Sequence, residues 1–318
     1  YNNSSESSGG AVHITCGYAS FNDCEFQSNN SAHASGGAID FESDCSSANS
    51  SGMIINCTFY NNSASQNGGG LSGDGWCTLE IQGSNFDNNS ALFGGGISLK
   101  HASSSILQNC VIKNNTAYGV GGGIYQTNSS MSDLQNTSVC GNYAVNADNQ
   151  IHDDWIDSGG NIVSDECPVT LTVDDDGKAD FNNIQDAIDA ASDGDEIIVM
   201  PGTYRDTGGK VVNTYGKEIW VHSSEGPELT VIDGEGARRG IVCVNNETSN
   251  TRIEGFTITN GWTNTSGGGM YNAYSNPTLT NCIFKDNTAG ENGGGTFNSD
   301  CSPTLVNCAF SSNSTVYA

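Results

Sequence analysis

The stretch Phe86-Asp-Asn-Asn-Ser-Ala-Leu-Phe-Gly-Gly-Gly-Ile97 decides the fold, because its features return at Ile112-Lys-Asn-Asn-Thr-Ala-Tyr-Gly-Val-Gly-Gly-Gly-Ile124. An apolar residue is followed three positions later by Asn, and a Gly-Gly-apolar signal comes next. The same coupled markers occur at Phe26 and Asn29 before Gly36-Gly37, and at Phe59 and Asn62 before Gly69-Gly70. They recur at Phe284 and Asn287 before Gly294-Gly295, and a last Phe310 and Asn313 close the chain. The Gly signals are mostly 26 or 27 residues apart, with one longer interval between Gly36 and Gly69.

A period in the twenties is too short for two helices and too long for a hairpin. It fits one coil of a three-sided parallel β-helix, an all-β solenoid whose coils bury their apolar faces only by stacking. At a strand spacing of about 4.8 Å, equivalent residues lie above one another. Phe59, Phe86 and Ile112 are therefore expected to form an internal stack, and Asn62, Asn89, Asn115 and Asn287 to belong to hydrogen-bonded Asn ladders. Asn suits the turn because it tolerates left-handed backbone, and the Gly pairs fit corners where a β-carbon would clash.

Composition agrees. The 318 residues include 41 Gly but only 5 Pro, and 36 acidic residues oppose 10 basic ones for a formal charge of −26. Such a surface repels nucleic acid and anionic lipid and leaves cations or neutral glycans as suitable ligands. No apolar run approaches the roughly 20 residues needed to span a bilayer, so membrane insertion is not expected. The 12 cysteines show no CxxC pair, which points to disulfides and to an extracellular or cell-surface location. Thirteen Asn-x-Ser/Thr sequons agree with that location: Asn2, Asn3, Asn29, Asn49, Asn56, Asn61, Asn88, Asn114, Asn128, Asn136, Asn246, Asn264 and Asn313.

Cys24, Cys57, Cys110, Cys282 and Cys308 each lie two residues before the Phe or Ile marker, and Cys16, Cys45, Cys77 and Cys301 follow the Gly corner. Stacked positions about 5 Å apart suit a disulfide. The expected pairs are Cys24 with Cys57, Cys45 with Cys77, Cys282 with Cys308, and Cys140 with Cys167. Cys110 and Cys243 are left without an assigned partner.

Between Val163 and Tyr204 the pattern changes. Phe181, Ile184, Ala187, Ile188 and Ala191 share one helical face, so a short capping helix is expected over about 181–191, with Asp180 as its N-cap. The run from Val173 through Tyr204, continued by Thr230-Val-Ile-Asp-Gly234 and Ile253-Glu-Gly-Phe-Thr-Ile-Thr-Asn-Gly261, resembles the N-terminal part of pectin-lyase-like domains. The Phe-x-x-Asn and Gly-Gly-x-Ile repeats are similar to those of chlamydial polymorphic outer-membrane proteins. These resemblances imply a right-handed parallel β-helix, in a superfamily that holds lyases, hydrolases, adhesins and structural proteins alike.

Coils thus fill residues 1–167, and a cap opens a second segment over 168–318. Gly293 to Phe310 matches Gly9 to Phe26, so a last coil is expected to continue into a first coil of a like unit, with Cys301 pairing Cys16 across the junction. End-to-end contacts that do not close give filaments or arrays. The expected function is accordingly a non-catalytic structural unit that associates head to tail, with glycan-binding adhesion as one alternative. Polysaccharide cleavage is the other. It needs carboxylates beside a basic residue, and Asp233, Glu235, Arg238 and Arg239 form the best such cluster. However, the Gly-His-Gly and Asn-Thr-Asp motifs of the pectinolytic hydrolases are missing. No cofactor is expected. Calcium at Asp174, Asp175, Asp176 and Asp180 is the one candidate, against a plain solvated turn.

Overall fold

Two kinds of turn recur along the coils. The first pairs a left-handed residue with a buried one, as in Asn61-Asn62, Asn88-Asn89 and Asn114-Asn115, where Asn61, Asn88 and Asn114 have φ of 56°, 57° and 55°. Asn reaches this conformation at low cost because its amide bonds to nearby backbone. The second is the Gly corner. At Gly94 φ is +67°, and a β-carbon on Gly95 would lie 2.5 Å from the Gly122 carbonyl oxygen of the next coil. Only glycine allows so close a backbone approach.

The computed structural model describes residues 1–43, 49–127 and 129–317. The chain divides into two compact units, Tyr1–Cys167 and Pro168–Ala318. The first unit consists of four six-stranded sheets whose strand pairs are parallel and in register, as Leu71 with Ile97, Leu79 with Ser105, and Phe86 with Ile112 show. One coil runs through Ser63–Ala64, Leu71–Asp74, Thr78–Gln82 and Asn85–Asp87. The sequence reading expected three sides. The Asn turn instead detaches a two-residue fourth segment, because the left-handed residue bends the strand without ending inter-coil pairing.

The second unit has parallel sheets of six, five, four and three strands. Its helix is shorter than expected, Ile184–Ala190, with Asn183 as N-cap accepting from the Asp186 N–H. Asp180 is instead drawn to Thr172, accepting from its backbone N–H at 2.9 Å and its hydroxyl at 2.7 Å. Ile184, Ala187 and Ile188 bury against Val173, Ile197, Val199 and Val212 in the core.

Both interiors are stacks. Phe26, Phe59 and Phe86 lie with ring centroids 4.9 and 4.4 Å apart; Ile112 and Val139 continue the column. Phe284 and Phe310 repeat it in the second unit at 5.0 Å. Beside the rings runs the Asn ladder. Asn89 Oδ1 accepts from the Asn62 backbone N–H and side-chain amide, both at 2.9 Å. Asn89 Nδ2 donates to Asn115 Oδ1 at 2.9 Å and to the Phe59 carbonyl at 3.0 Å. Both side-chain oxygen acceptor positions and both amide hydrogens are thereby used, as burial demands. Asn142 extends the ladder and is closed by Gln150 Oε1.

Removing a rung orphans the Asn62 donors and opens a void. Asn89→Ala is expected to destabilise the first unit by about 3 kcal/mol, whereas Tyr118→Ala, on an exposed side chain, should change it by less than about 0.5 kcal/mol. Urea unfolding followed by circular dichroism measures both; equal effects would contradict the ladder's role.

Candidate functional site

The cysteine columns turn out to be hydrogen-bonding positions. Cys57, Ser84, Cys110 and Thr137 occupy one corner in successive coils, since the Cys57 N–H donates to Ser84 Oγ and the Cys110 N–H to Thr137 Oγ1. Each side chain in turn donates to strand-end carbonyls. Cys110 reaches Gln108 O and Ile81 O, and Thr137 reaches Gln135 O and Leu107 O. Thiol and hydroxyl thus do the same work. Burial pushes the Cys110 thiol up to about 11 and Cys243 up to about 12.

This corrects several expected pairs. Cys24, Cys57, Cys282 and Cys308 retain free thiols. Cys24 does sit level with Cys57, and Cys282 with Cys308, and in each pair the two thiols meet side by side while also facing strand-end carbonyls. Cys77 is also free and donates to Phe41 O and Asp74 O; Cys45 lies outside the described residues. Cys16 is itself disulfide-bonded, and Cys301 keeps a thiol directed at Asn272 O within the chain. Cys140 and Cys167 form a disulfide spanning 27 residues.

The sequons divide in the same way. Asn29 is only 1% exposed and holds a ladder position, donating to Asn62 Oδ1, so it offers no amide to a glycan. Asn313 is likewise committed, to the Phe284 carbonyl. Asn49, Asn56, Asn61, Asn88, Asn114, Asn136, Asn246 and Asn264 are exposed, and Asn128 lies outside the described residues.

The four aspartates read as a calcium candidate are each held by local partners. Asp175 accepts from the Thr203 N–H, Asp174 from the Asp176 N–H, and Asp176 pairs with Lys178. Asp180 is bound to Thr172. Their oxygens serve the turn rather than converge on one point.

Three residues of the acidic and basic cluster do meet. Asp233 ends the strand Thr230–Asp233, and Glu235 follows with φ of 54°. They line an open groove of about 350 Å³ with Asn260, Trp262 and Asp286. Arg205 reaches Asp233 at 3.2 Å and Glu235 at 3.5 Å, while Arg238 pairs with Glu235. Burial tends to raise the Asp233 carboxyl, but hydrogen bonds from Asn260 and the Glu235 N–H, together with Arg205, hold it below the usual range. It is therefore an anionic acceptor and not a proton donor near neutrality. Arg239 points elsewhere, to Ser266 O and Thr265 Oγ1 and over the Tyr271 ring at 5.0 Å.

Arg205 and Trp262 were missed as partners in sequence because they come from different coils. The available signal was register: Tyr204 pairs with Ile232, placing Arg205 beside Asp233. Trp262 is 42% exposed and lines the groove beside acceptors, and an indole among acceptors is able to pack on and hydrogen-bond a polyhydroxylated ligand.

A family model described as a right-handed beta helix region matches residues 1–175, more than half of the 318 residues. No curated protein and no solved structure matches the chain.

Because Ser and Thr share the corner column, Cys110→Ser should cost less than about 1 kcal/mol, and Cys110→Val, which removes the donor, about 1–2 kcal/mol. Chemical denaturation of the first unit decides; equal losses would rule out the hydrogen-bonding role.

Proposed function

Since the chain belongs to the right-handed β-helix family, we propose that it is a non-catalytic structural unit of an extracellular surface assembly, extended by stacking like coils end to end. One observation carries this reading. Leu279 and Phe284 are fully buried, but Leu305 and Phe310, which occupy the same positions one coil later, are 38% and 49% exposed. Val306, Val316 and Tyr317 are exposed beside them. These positions call for another coil above them, supplied by a like unit of the same polypeptide or of a second copy. The exposed sequons, the Cys140–Cys167 disulfide and the charge of −26 support an oxidising, solvated setting.

Residues 1–318 should therefore self-associate as concentration rises, and Phe310→Asp should weaken that association about tenfold or more. Analytical ultracentrifugation with electron microscopy tests this; dispersed monomers at every concentration would sink the proposal.

The Trp262 groove favours a second reading, glycan binding along the solenoid's flank. Binding on a glycan array that falls at least about tenfold in Trp262→Ala, without cleavage, would support it. Calcium-dependent cleavage of pectate or alginate, lost in Arg238→Ala, would instead overturn the non-catalytic assignment.

A further inference from the structure

The strand Ile39–Glu42 alternates Ile39 and Phe41, both in the core, with buried Asp40 and half-buried Glu42 on the opposite face. The adjacent coil sets His13 level with Asp40 and Thr15 level with Glu42. Asp40 Oδ2 is 3.0 Å from His13 Nδ1. His13 Nε2 lies 2.8 Å from Thr15 Oγ1 and 3.6 Å from Glu42 Oε2. One ligand atom from each of His13, Asp40 and Glu42 lies within 4.8 Å of the other two.

The Asp40 side chain is only 4% exposed. The Ser72 and Ser8 hydroxyls lie beside it, yet its Oδ1 is buried without a hydrogen-bond partner. An ionised carboxylate in that position calls for a positive charge. Burial accordingly pushes the Asp40 carboxyl up. The imidazole ring and the two hydroxyls are the only groups that answer it among the described residues, and none of them is a fixed positive charge.

We propose that His13, Asp40 and Glu42 form a binding site for one divalent transition-metal ion, zinc being the best match, which clips two adjacent coils together. One imidazole nitrogen and two carboxylate oxygens are a donor set for zinc or its neighbours, with water completing the shell. Calcium is a poor match because it takes six to eight oxygen ligands. Metal–ligand distances of about 2.0–2.2 Å require the three groups to draw in slightly. Ser72, level with Asp40 on the next coil, is placed to hold the carboxylate in orientation.

The other histidine–aspartate contacts, His101 with Asp74 and His152 with Asp148, provide internal controls. The experiment uses the untagged 318-residue chain, titrated with zinc chloride by calorimetry and melted with and without the ion. The intact chain should bind one ion tightly at this site and melt at a higher temperature when loaded. His13→Ala and Asp40→Asn should each lose affinity about 10- to 100-fold or more, and His101→Ala should leave it unchanged. His13 is partly exposed and Asn preserves the shape of Asp40, so both variants should fold. Cobalt substitution of the wild-type chain gives a second readout, a visible absorption band that His13→Ala removes. No zinc binding by the intact chain, or equal affinity in His13→Ala, overturns the proposal.

Discussion

Everything in these two units depends on hydrogen bonding between coils in constant register. A parallel ladder fixes the distance between successive coils at about 4.8 Å, so each side chain meets its own counterpart before it meets anything else. The positions tolerated in such a structure are those whose residues gain from meeting a like neighbour. Phe gains through stacked rings, and Asn because its amide is both donor and acceptor and can satisfy an identical amide. Gly gains because the corner carbonyls come too close for any β-carbon. The Phe-x-x-Asn and Gly-Gly markers are these three solutions repeated.

That is why the fold could be read from the sequence. The period, the core column of Phe59, Phe86 and Ile112, and the ladder through Asn62, Asn89 and Asn115 all follow from like meeting like. The cysteines misled for the same reason. Register correctly placed Cys24 beside Cys57 and Cys282 beside Cys308, and their side chains do meet, but as free thiols that share hydrogen bonds. The informative comparison was along the column, where Ser84 and Thr137 share the corner with Cys57 and Cys110; residues that interchange with hydroxyls are being used as donors. Asn29 shows a parallel conflict: its sequon is intact, but the ladder takes its amide. The helix start was misplaced because Asp180 and Asn183 are both sound caps, and the nearby strand residue Thr172 captured Asp180.

The groove was only partly legible. Asp233, Glu235 and Arg238 are close in sequence and their meeting could be anticipated. Arg205, Asn260, Trp262 and Asp286 enter from other coils, and their convergence depends on left-handed residues such as Glu235, Asn260 and Asp286 that aim successive turns to the same side. Arg239 is adjacent to Arg238 yet points elsewhere, because it opens the strand Arg239–Cys243 while Arg238 still lies in the bend before it.

Like meeting like has a cost for charge. With 36 acidic residues and 10 basic ones, a solenoid stacking carboxylate on carboxylate would accumulate repulsion along each column. In several columns the scarce cations and histidines stand level with, or beside, an acid of the adjacent coil: Lys113 at 3.8 Å from Asp87, His222 at 3.0 Å from Glu196, and Arg205 at 3.2 Å from Asp233. Each such pair is worth little in isolation at an exposed site. Their placement matters more than their individual strength, since it interrupts acidic columns where unlike neighbours are needed. At His13 the same device meets two carboxylates instead of one, and one of them is buried. A single imidazole and neutral hydroxyls face both acids there, and the architecture's ordinary means of balancing charge leaves room for the proposed metal ion.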